Sequence, residues 1–425
     1  MSMHPAYPDR CGFNALLPPR TPRPPATGEI RAKYAVIGAG YTGLGAARRL
    51  AELDPAARIV VLEATEVGEG ASARNSGFAS PRDIPGSTDP AELAATARQN
   101  RLTEEGWDWL MALCDRHGIA CGLVKSGRIK GAATDLGEVN VRALHEAVQA
   151  QGVPHTLLDR AALRARIGTE YYQAGLWTEE GYLLDPAALV RGLADSLPEN
   201  VSLHERSPVL RLRRQGGWLV DTADARVHAD AVVLATNAAT RNFGHLRDRL
   251  VTIYTYAALS APLPPGSLGD MPVWGLLPSH RLGTTVRRVG ADRLLVRSMY
   301  AHERPLPAEQ VQATLLSCFH RRYPALAGVG LDHAWGGTTA LTMNGAPWWG
   351  QLGEGLYASA GCNGSGIVKG TVLGKRLAER IAGHGAHADV LAAYGTANWV
   401  APEPFRSIGF SVIAARERRR AGAEA

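Results

Sequence analysis

Short unbroken apolar runs and longer helical stripes take turns along the chain. Tyr34-Ala-Val-Ile37 is a run of the kind a buried parallel strand needs, because such a strand is covered on both faces. Arg58-Ile-Val-Val-Leu-Glu63, Ala231-Val-Val-Leu-Ala235 and residues 356–360 repeat it. Helical spacing governs 89–119, where Leu93, Leu102, Trp107, Leu110 and Leu113 recur and Gly118 closes the pattern. Helices are also predicted over 136–152, 160–167 and 307–323, and from 367 to about 382. Asp185-Pro186 starts another that runs to Leu197, since Asp caps well and Pro fits a first turn. Strands are predicted over 125–133, 175–177, 181–184, 201–212 and 218–222, and they dominate 251–297. Residues 1–29 are rich in Pro and Arg, so they predict an extended surface arm or partial disorder. Residues 416–420 read as a solvated, charged helix end. The alternation as a whole predicts an α/β protein.

One junction in this pattern carries chemistry. Gly38-Ala39-Gly40-Tyr41-Thr42-Gly43 follows the first run at once and opens an Ala- and Leu-rich helix. Gly38 permits a tight turn, Gly40 lets a pyrophosphate approach the backbone, and Gly43 lets the helix pack on the strands. The helix N-terminus offers free N–H groups and a positive dipole end to phosphates. Glu63 ends the second strand 20 residues after Gly43, where a carboxylate accepts two ribose hydroxyls. A bare glycine turn would carry little; with strand, helix, strand and acid in register it predicts a bound dinucleotide.

Length admits two or three domains or two interleaved ones, and 45% hydrophobic content fills a substantial core. The net charge of +6 does not point to nucleic acid: only five of the 46 basic residues are lysine, and the arginines form no stripe with interleaved aromatics. No apolar run reaches the ~18 residues of a membrane span, and no signal-peptide pattern opens the chain, so a cytoplasmic location is expected. The five cysteines form no CxxC pair, and His280 and His333 lack partners at ligand spacing, so no metal site is expected. With one fingerprint and no CxxC, a nicotinamide-dependent reductase is disfavoured.

Two further segments join the fingerprint: the loop Gly70-Ala-Ser-Ala-Arg-Asn-Ser-Gly77, and Gly361-Cys-Asn-Gly-Ser-Gly-Ile367 opening a late helix. Together they resemble the D-amino-acid oxidase/glycine oxidase superfamily of FAD-dependent oxidoreductases. Gly40-Tyr41-Thr42-Gly43-Leu44, Trp335-Gly336-Gly337, Thr342-Met343-Asn344 and Ala346-Pro347 resemble its gamma-glutamylputrescine oxidoreductase branch. The resemblance implies a Rossmann-like FAD-binding domain of the glutathione-reductase type over 30–90, 150–245 and 330–395. An interleaved β-rich α+β substrate domain would take 91–149 and 246–329, and 396–425 would be a tail.

The resemblance places Gly38, Gly40, Tyr41, Thr42, Gly43, Glu63 and Ala64 at the ADP half. Val209 would lie beside the adenine with Ala235 and Thr236 near it. Ser72, Arg74, Asn75 and Ser76 would meet the pyrophosphate and flavin edge. Gly361, Asn363, Gly364, Ser365, Gly366 and Ile367 would face the flavin, where a helix N-terminus stabilises negative charge gathering on N1 and the C2 carbonyl. Ala73, Ser76 and Ser365 depart from the family pattern. Where covalent relatives carry a flavin-linked cysteine, this chain has Gly336-Gly-Thr-Thr-Ala-Leu341, which implies noncovalent FAD. Thr339 or Ala340 stands where glycine oxidases carry a carboxylate-gripping arginine.

The implied activity is oxidation of the C–N bond of a primary or secondary amine by hydride transfer to flavin N5, giving an imine that hydrolyses to a carbonyl product. Oxygen or another acceptor would reoxidise the flavin. The alternatives are a D-amino-acid, glycine or sarcosine type of oxidase, a dehydrogenase feeding a quinone or carrier, and a flavin-binding subunit without turnover. No residue is assigned a catalytic role. Tyr254, Tyr256 and Trp335 are expected to line the substrate pocket, and Arg281 or Arg297 to meet an anionic far end. Surface pairing is the commoner fate of such arginines, Arg287 and Arg288 among them. For Cys362, beside the expected flavin, a small buried thiol is the commoner role.

Overall fold

The computed structural model describes Tyr7, residues 9–385 and residues 388–425. Residues 1–6 and 8 of the predicted arm, and 386–387 of the last FAD-domain segment, lie outside the described residues. Strand Gly28–Ile37 pairs in parallel with Ile59–Leu62 on one side and Ala225–Leu234 on the other. Val201–His204 and Leu356–Ala360 extend the parallel array, and three antiparallel strands complete an eight-stranded sheet. Ala35, Val36, Val60 and Val61 are fully buried because helices or further strands cover both faces.

Helices Tyr41–Leu53 and Ile367–Ile381 pack side by side on this sheet, and glycines set their separation. A Cβ on Gly374 would lie 2.1 Å from the Thr42 carbonyl oxygen, and one on Gly45 2.9 Å from that of Thr371. Helix Pro90–His117 starts at Asp89, which accepts the Ala91 N–H at 2.7 Å, and ends at the left-handed Gly118. Its Leu102, Trp107, Leu110 and Leu113 enter the same core as Val36 and Ile59, although 91–149 is expected in the substrate domain.

The second eight-stranded sheet runs in the order Leu331–Leu341, Val251–Ser260, Arg293–His302, Thr285–Val289, Gly275–Pro278, Arg128–Ala132, Ala174–Thr178, His155–Asp159. Its first strand and its last two correct the expected division: Leu331–Leu341, Ala174–Thr178 and His155–Asp159 pair here, not with the first sheet. Of these only 175–177 is read as a strand from the sequence, and a strand's own pattern carries no information on which sheet supplies the partner.

Both chain ends carry buried residues; at the C-terminal end 416–420 is a helix end, exposed except for Glu417, as expected. The arm buries Cys11, Phe13 and Asn14 through a short helix, Gly12–Leu16, and Phe13 meets Trp335 edge-on at 6.0 Å. The charged tail belongs to helix Phe405–Ala421, yet beyond it Glu424 is buried. Glu424 accepts the Ala133 N–H at 2.7 Å and the Ser279 hydroxyl at 2.9 Å, and the buried Arg322 donates to its backbone oxygen at 2.9 Å. Among the described residues no helix is long and apolar enough to cross a membrane.

Candidate functional site

The parallel strands of the first sheet end at a cavity of about 780 Å³, lined there by Ile37, Leu62 and Ala235. Ile253, Leu277 and Thr285 of the second sheet line it from across. The glycine turn forms one end. Gly38 has φ 101°, and a Cβ on it would stand 2.8 Å from the Ala235 carbonyl oxygen. A Cβ on Gly40 would stand 2.6 Å from Ser72 Oγ, and one on Gly43 1.8 Å from the Gly38 carbonyl oxygen. The helix at Tyr41 has Gly40 at its N-cap, and its first N–H, that of Tyr41, donates to Ser72 Oγ at 3.2 Å. Glu63 Oε2 accepts the Ala39 N–H at 2.9 Å, and Oε1 accepts the Thr65 N–H at 3.1 Å.

A second helix start, at Gly366, lies on the same cavity with no side chain capping it, and Gly364 and Ser365 are exposed before it. Asn363, left-handed at φ 52°, shapes that turn. It accepts the Thr342 N–H at 2.8 Å and donates to the Gly361 and Gly345 carbonyls at 2.7 and 2.9 Å. The Gly361 N–H in turn donates to Asn237 Oδ1 at 2.9 Å. Two helix N-termini, a side-chain-free turn and a strand-end carboxylate in one cavity fit an FAD, whose diphosphate and electron-rich ring both favour positive dipole ends.

Of the residues predicted for the cofactor, Gly38, Gly40, Tyr41, Thr42, Glu63, Ala64, Ser72, Arg74, Asn75, Ser76, Val209, Ala235, Thr236, Asn363, Gly364, Ser365, Gly366 and Ile367 line this cavity. Gly43 and Gly361 sit behind it as packing and turn positions. Arg74 reaches the cavity, but its guanidinium is committed to protein: Nε donates to the Glu69 carbonyl at 2.7 Å, Nη1 to Gly336 at 3.0 Å, and Nη2 to Asp9 at 2.6 Å. It also pairs with the Glu69 carboxylate at 2.9 Å. One N–H of five is left, so Arg74 fastens the loop and the arm together and is a poor pyrophosphate ligand.

The predicted substrate residues are corrected more heavily. Trp335 does not line the cavity: it is buried and donates to the Arg74 carbonyl at 3.2 Å. Tyr254 is also absent from the lining, while Tyr256 reaches it but spends its hydroxyl accepting the Leu306 N–H at 2.6 Å. Arg281 lines the cavity and pairs with Glu417 at 2.9 Å. Arg297 lines it and donates to Tyr300 Oη at 2.8 Å. Arg287 is a structural tie, donating to the Ser76 and Leu184 carbonyls at 2.7 and 2.9 Å; burial pulls its guanidinium down to about 10.

Tyr7 and Lys369 are among the cavity residues that escaped the sequence reading. Tyr7 comes from the arm and bonds Thr338. Lys369 lines the cavity from the first turn of the late helix, where the dipole disfavours a cation. Burial pushes its ammonium below the usual range against the opposing charges of Cys362 and Asp83, and its Nζ stands over the Tyr394 ring at 5.9 Å. A lysine three residues past the last glycine of the turn was the available signal. Elsewhere, His302, Glu303 and Glu403 bring ligand atoms within 4.8 Å of one another. Arg241 pairs with Glu303 at 2.5 Å and Arg406 with Glu403 at 3.7 Å, so these acids are already neutralised.

Comparison with known proteins agrees with this geometry. The model of the FAD dependent oxidoreductase family matches residues 33–380. A probable oxidoreductase OrdL of Rhizobium meliloti is 26% identical over 396 residues, 91% of either chain. Gamma-glutamylputrescine oxidoreductase of Escherichia coli is 26% identical over 378 residues, 85% of this chain and 86% of that one. Among solved structures, glycine oxidase from Geobacillus kaustophilus superposes with a TM-score of 0.67 at 21% identity, over 84% of this chain and 96% of that one. The chain belongs to the FAD dependent oxidoreductase family and is an FAD-dependent oxidoreductase.

Proposed function

We propose that this enzyme oxidises the C–N bond of a primary or secondary amine that carries no obligatory α-carboxylate. The observation that carries this reading is the wall formed by strand Leu331–Leu341. Gly337, Thr338, Thr339 and Leu341 line the cavity there, with no guanidinium among them. The cavity's arginines are held elsewhere: Arg74 by Glu69, Arg281 by Glu417, Arg297 by Tyr300. A buried carboxylate without a charged donor costs several kcal/mol. The similarity to gamma-glutamylputrescine oxidoreductase supports an amine donor.

Bound FAD supplies the acceptor for a hydride leaving the carbon next to nitrogen. The chain's own part is to hold the cofactor and to admit the amine neutral. The glycine turn and Glu63 would hold the ADP half noncovalently. The N-terminus of helix Ile367–Ile381 would offer N–H donors where negative charge gathers. Cys362 Sγ lies 3.3 Å from Thr339 Oγ1 and 3.4 Å from Asn237 Nδ2, as a hydrogen-bonding thiol of the wall. The imine product then hydrolyses to a carbonyl compound. A panel of amines added anaerobically tests the reading: loss of the oxidised flavin spectrum supports it, and a spectrum unmoved by every amine refutes it.

A further inference from the structure

The N-terminal arm delivers a tyrosine to the wall where the proposed amine would lie. Strand Leu331–Leu341 is the edge strand of the second sheet, so alternate N–H groups on its outer side have no strand partner. Tyr7 Oη accepts the Thr338 N–H at 3.2 Å and lies 2.6 Å from Thr338 Oγ1. The Arg74 guanidinium stands over the Tyr7 ring at 4.3 Å. Tyr7 and Thr338 both line the central cavity.

The arm behind this tyrosine is anchored. Arg74 donates to the Asp9 carbonyl at 2.6 Å, and the Cys11 N–H donates to Glu69 Oε2 at 3.1 Å. Asn14 Nδ2 reaches Glu69 Oε1 at 2.5 Å, and the buried Cys11 thiol donates to the Ala73 carbonyl at 3.3 Å. Tyr7 is therefore clamped on one face by a guanidinium and at its tip by a threonine while it lines the cavity. An aromatic ring fixed at its polar end offers a large apolar surface at little further entropic cost.

We propose that Tyr7 is a substrate-positioning residue: its ring is the surface against which the carbon stem of the substrate packs, beside Thr338 and Thr339. This rests on the amine-oxidation reading. The arm thus becomes part of the active site.

The test uses the FAD-loaded full chain and a panel of primary amines with their matching α-amino acids. Anaerobic single-turnover reduction of the flavin is followed against concentration, which separates binding from the limiting rate. For the best compound, Tyr7→Ala should weaken apparent binding about tenfold or more. Tyr7→Phe, which keeps the ring, should weaken it at most about threefold, and both limiting rates should change less than binding does. FAD affinity in Tyr7→Ala, measured separately, should stay within about twofold. If an amine reduces the flavin and Tyr7→Ala binds it as wild type does, the Tyr7 proposal alone is wrong. If α-amino acids reduce the flavin, amines do not, and Tyr7→Ala weakens their binding, the amine reading alone is wrong. If FAD affinity falls in step with substrate binding, Tyr7 is a structural strut and the proposal is overturned. If no compound reduces the flavin, both readings fail.

Discussion

Glu63 Oε2 accepts the backbone N–H of Ala39 at 2.9 Å, so the carboxylate at the end of the second strand is tied to the middle of the glycine turn. The acid proposed to bind ribose also shapes the turn proposed to meet the pyrophosphate. Thr65 holds the other oxygen through its N–H and hydroxyl, at 3.1 and 3.2 Å. Glu63→Gln keeps the shape and loses the charge. The expected cost in FAD affinity is about 1–2 kcal/mol, or roughly five- to thirtyfold in Kd. Titrating FAD into the stripped protein measures it, and equal affinity in the two proteins would remove Glu63 from the cofactor site.

Covalency is checked by acid. Four of the five cysteines are buried, and Cys362 alone lines the cavity. Its sulfur is shared between Thr339 and Asn237. Precipitation with acid is expected to leave a white pellet and release all the yellow colour as FAD. Colour kept in the pellet, and lost in Cys362→Ala, would show a thioether to that sulfur.

A charge cluster outside the cavity's lining gives a pH prediction. Glu379 is buried and meets Lys375 at 2.7 Å, Arg49 at 2.9 Å and Arg376 at 3.0 Å, joining the two glycine-packed helices. Burial alone would raise its carboxyl; hydrogen bonds and charge from Lys375 and Arg376 outweigh that and hold it below its ordinary 4.5. A depressed carboxyl stabilises the fold fully above its unfolded pKa and loses that contribution as pH falls through the folded value. Glu379→Gln should therefore cost about 1–3 kcal/mol at pH 7, with the gap to wild type closing below about pH 4.5. Thermal unfolding from pH 3 to 7 reads this directly, and a gap independent of pH would contradict it.

The first sheet, its glycine turn and the capped helices could be read from the chain because each depends on residues close in sequence. Asp89 with Gly118, and Asp185 with Pro186, mark helix ends through bonds spanning a few positions. The arm could not be read, because its order comes from Glu69, Arg74 and Trp335, which lie far along the chain. The same distance hid the fate of the arginines. Arg281, Arg287 and Arg297 share a strand-rich segment and look alike in sequence. One pairs with Glu417, one is buried against Ser76 and Leu184, and one bonds a tyrosine three residues on.

Whether the substrate carries an α-carboxylate is decided by the cavity's cations. Arg74, Arg281 and Arg297 are engaged, while Lys369 has no acceptor within hydrogen-bond reach among the described residues. The donors that Thr338 and Thr339 themselves offer a carboxylate are neutral, and a neutral donor returns about half of what a charged one does. A matched pair, one side chain as the primary amine and as its α-amino acid, isolates the effect. The amine should win by about tenfold or more in kcat/KM, and its advantage should grow with pH toward the free-ammonium pKa of about 10.4, as more of it is neutral. Flavin reduction under anaerobic conditions gives both numbers. If the amino acid is faster and tighter, a cation in the cavity has taken the carboxylate, and Lys369→Met identifies which. Should that variant abolish the amino acid's advantage, the unpaired lysine is the clamp and the enzyme is an amino-acid oxidase by another route. Should the advantage survive, Arg297 is next, because it is held by a single hydrogen bond to a phenol and can be drawn away at least cost.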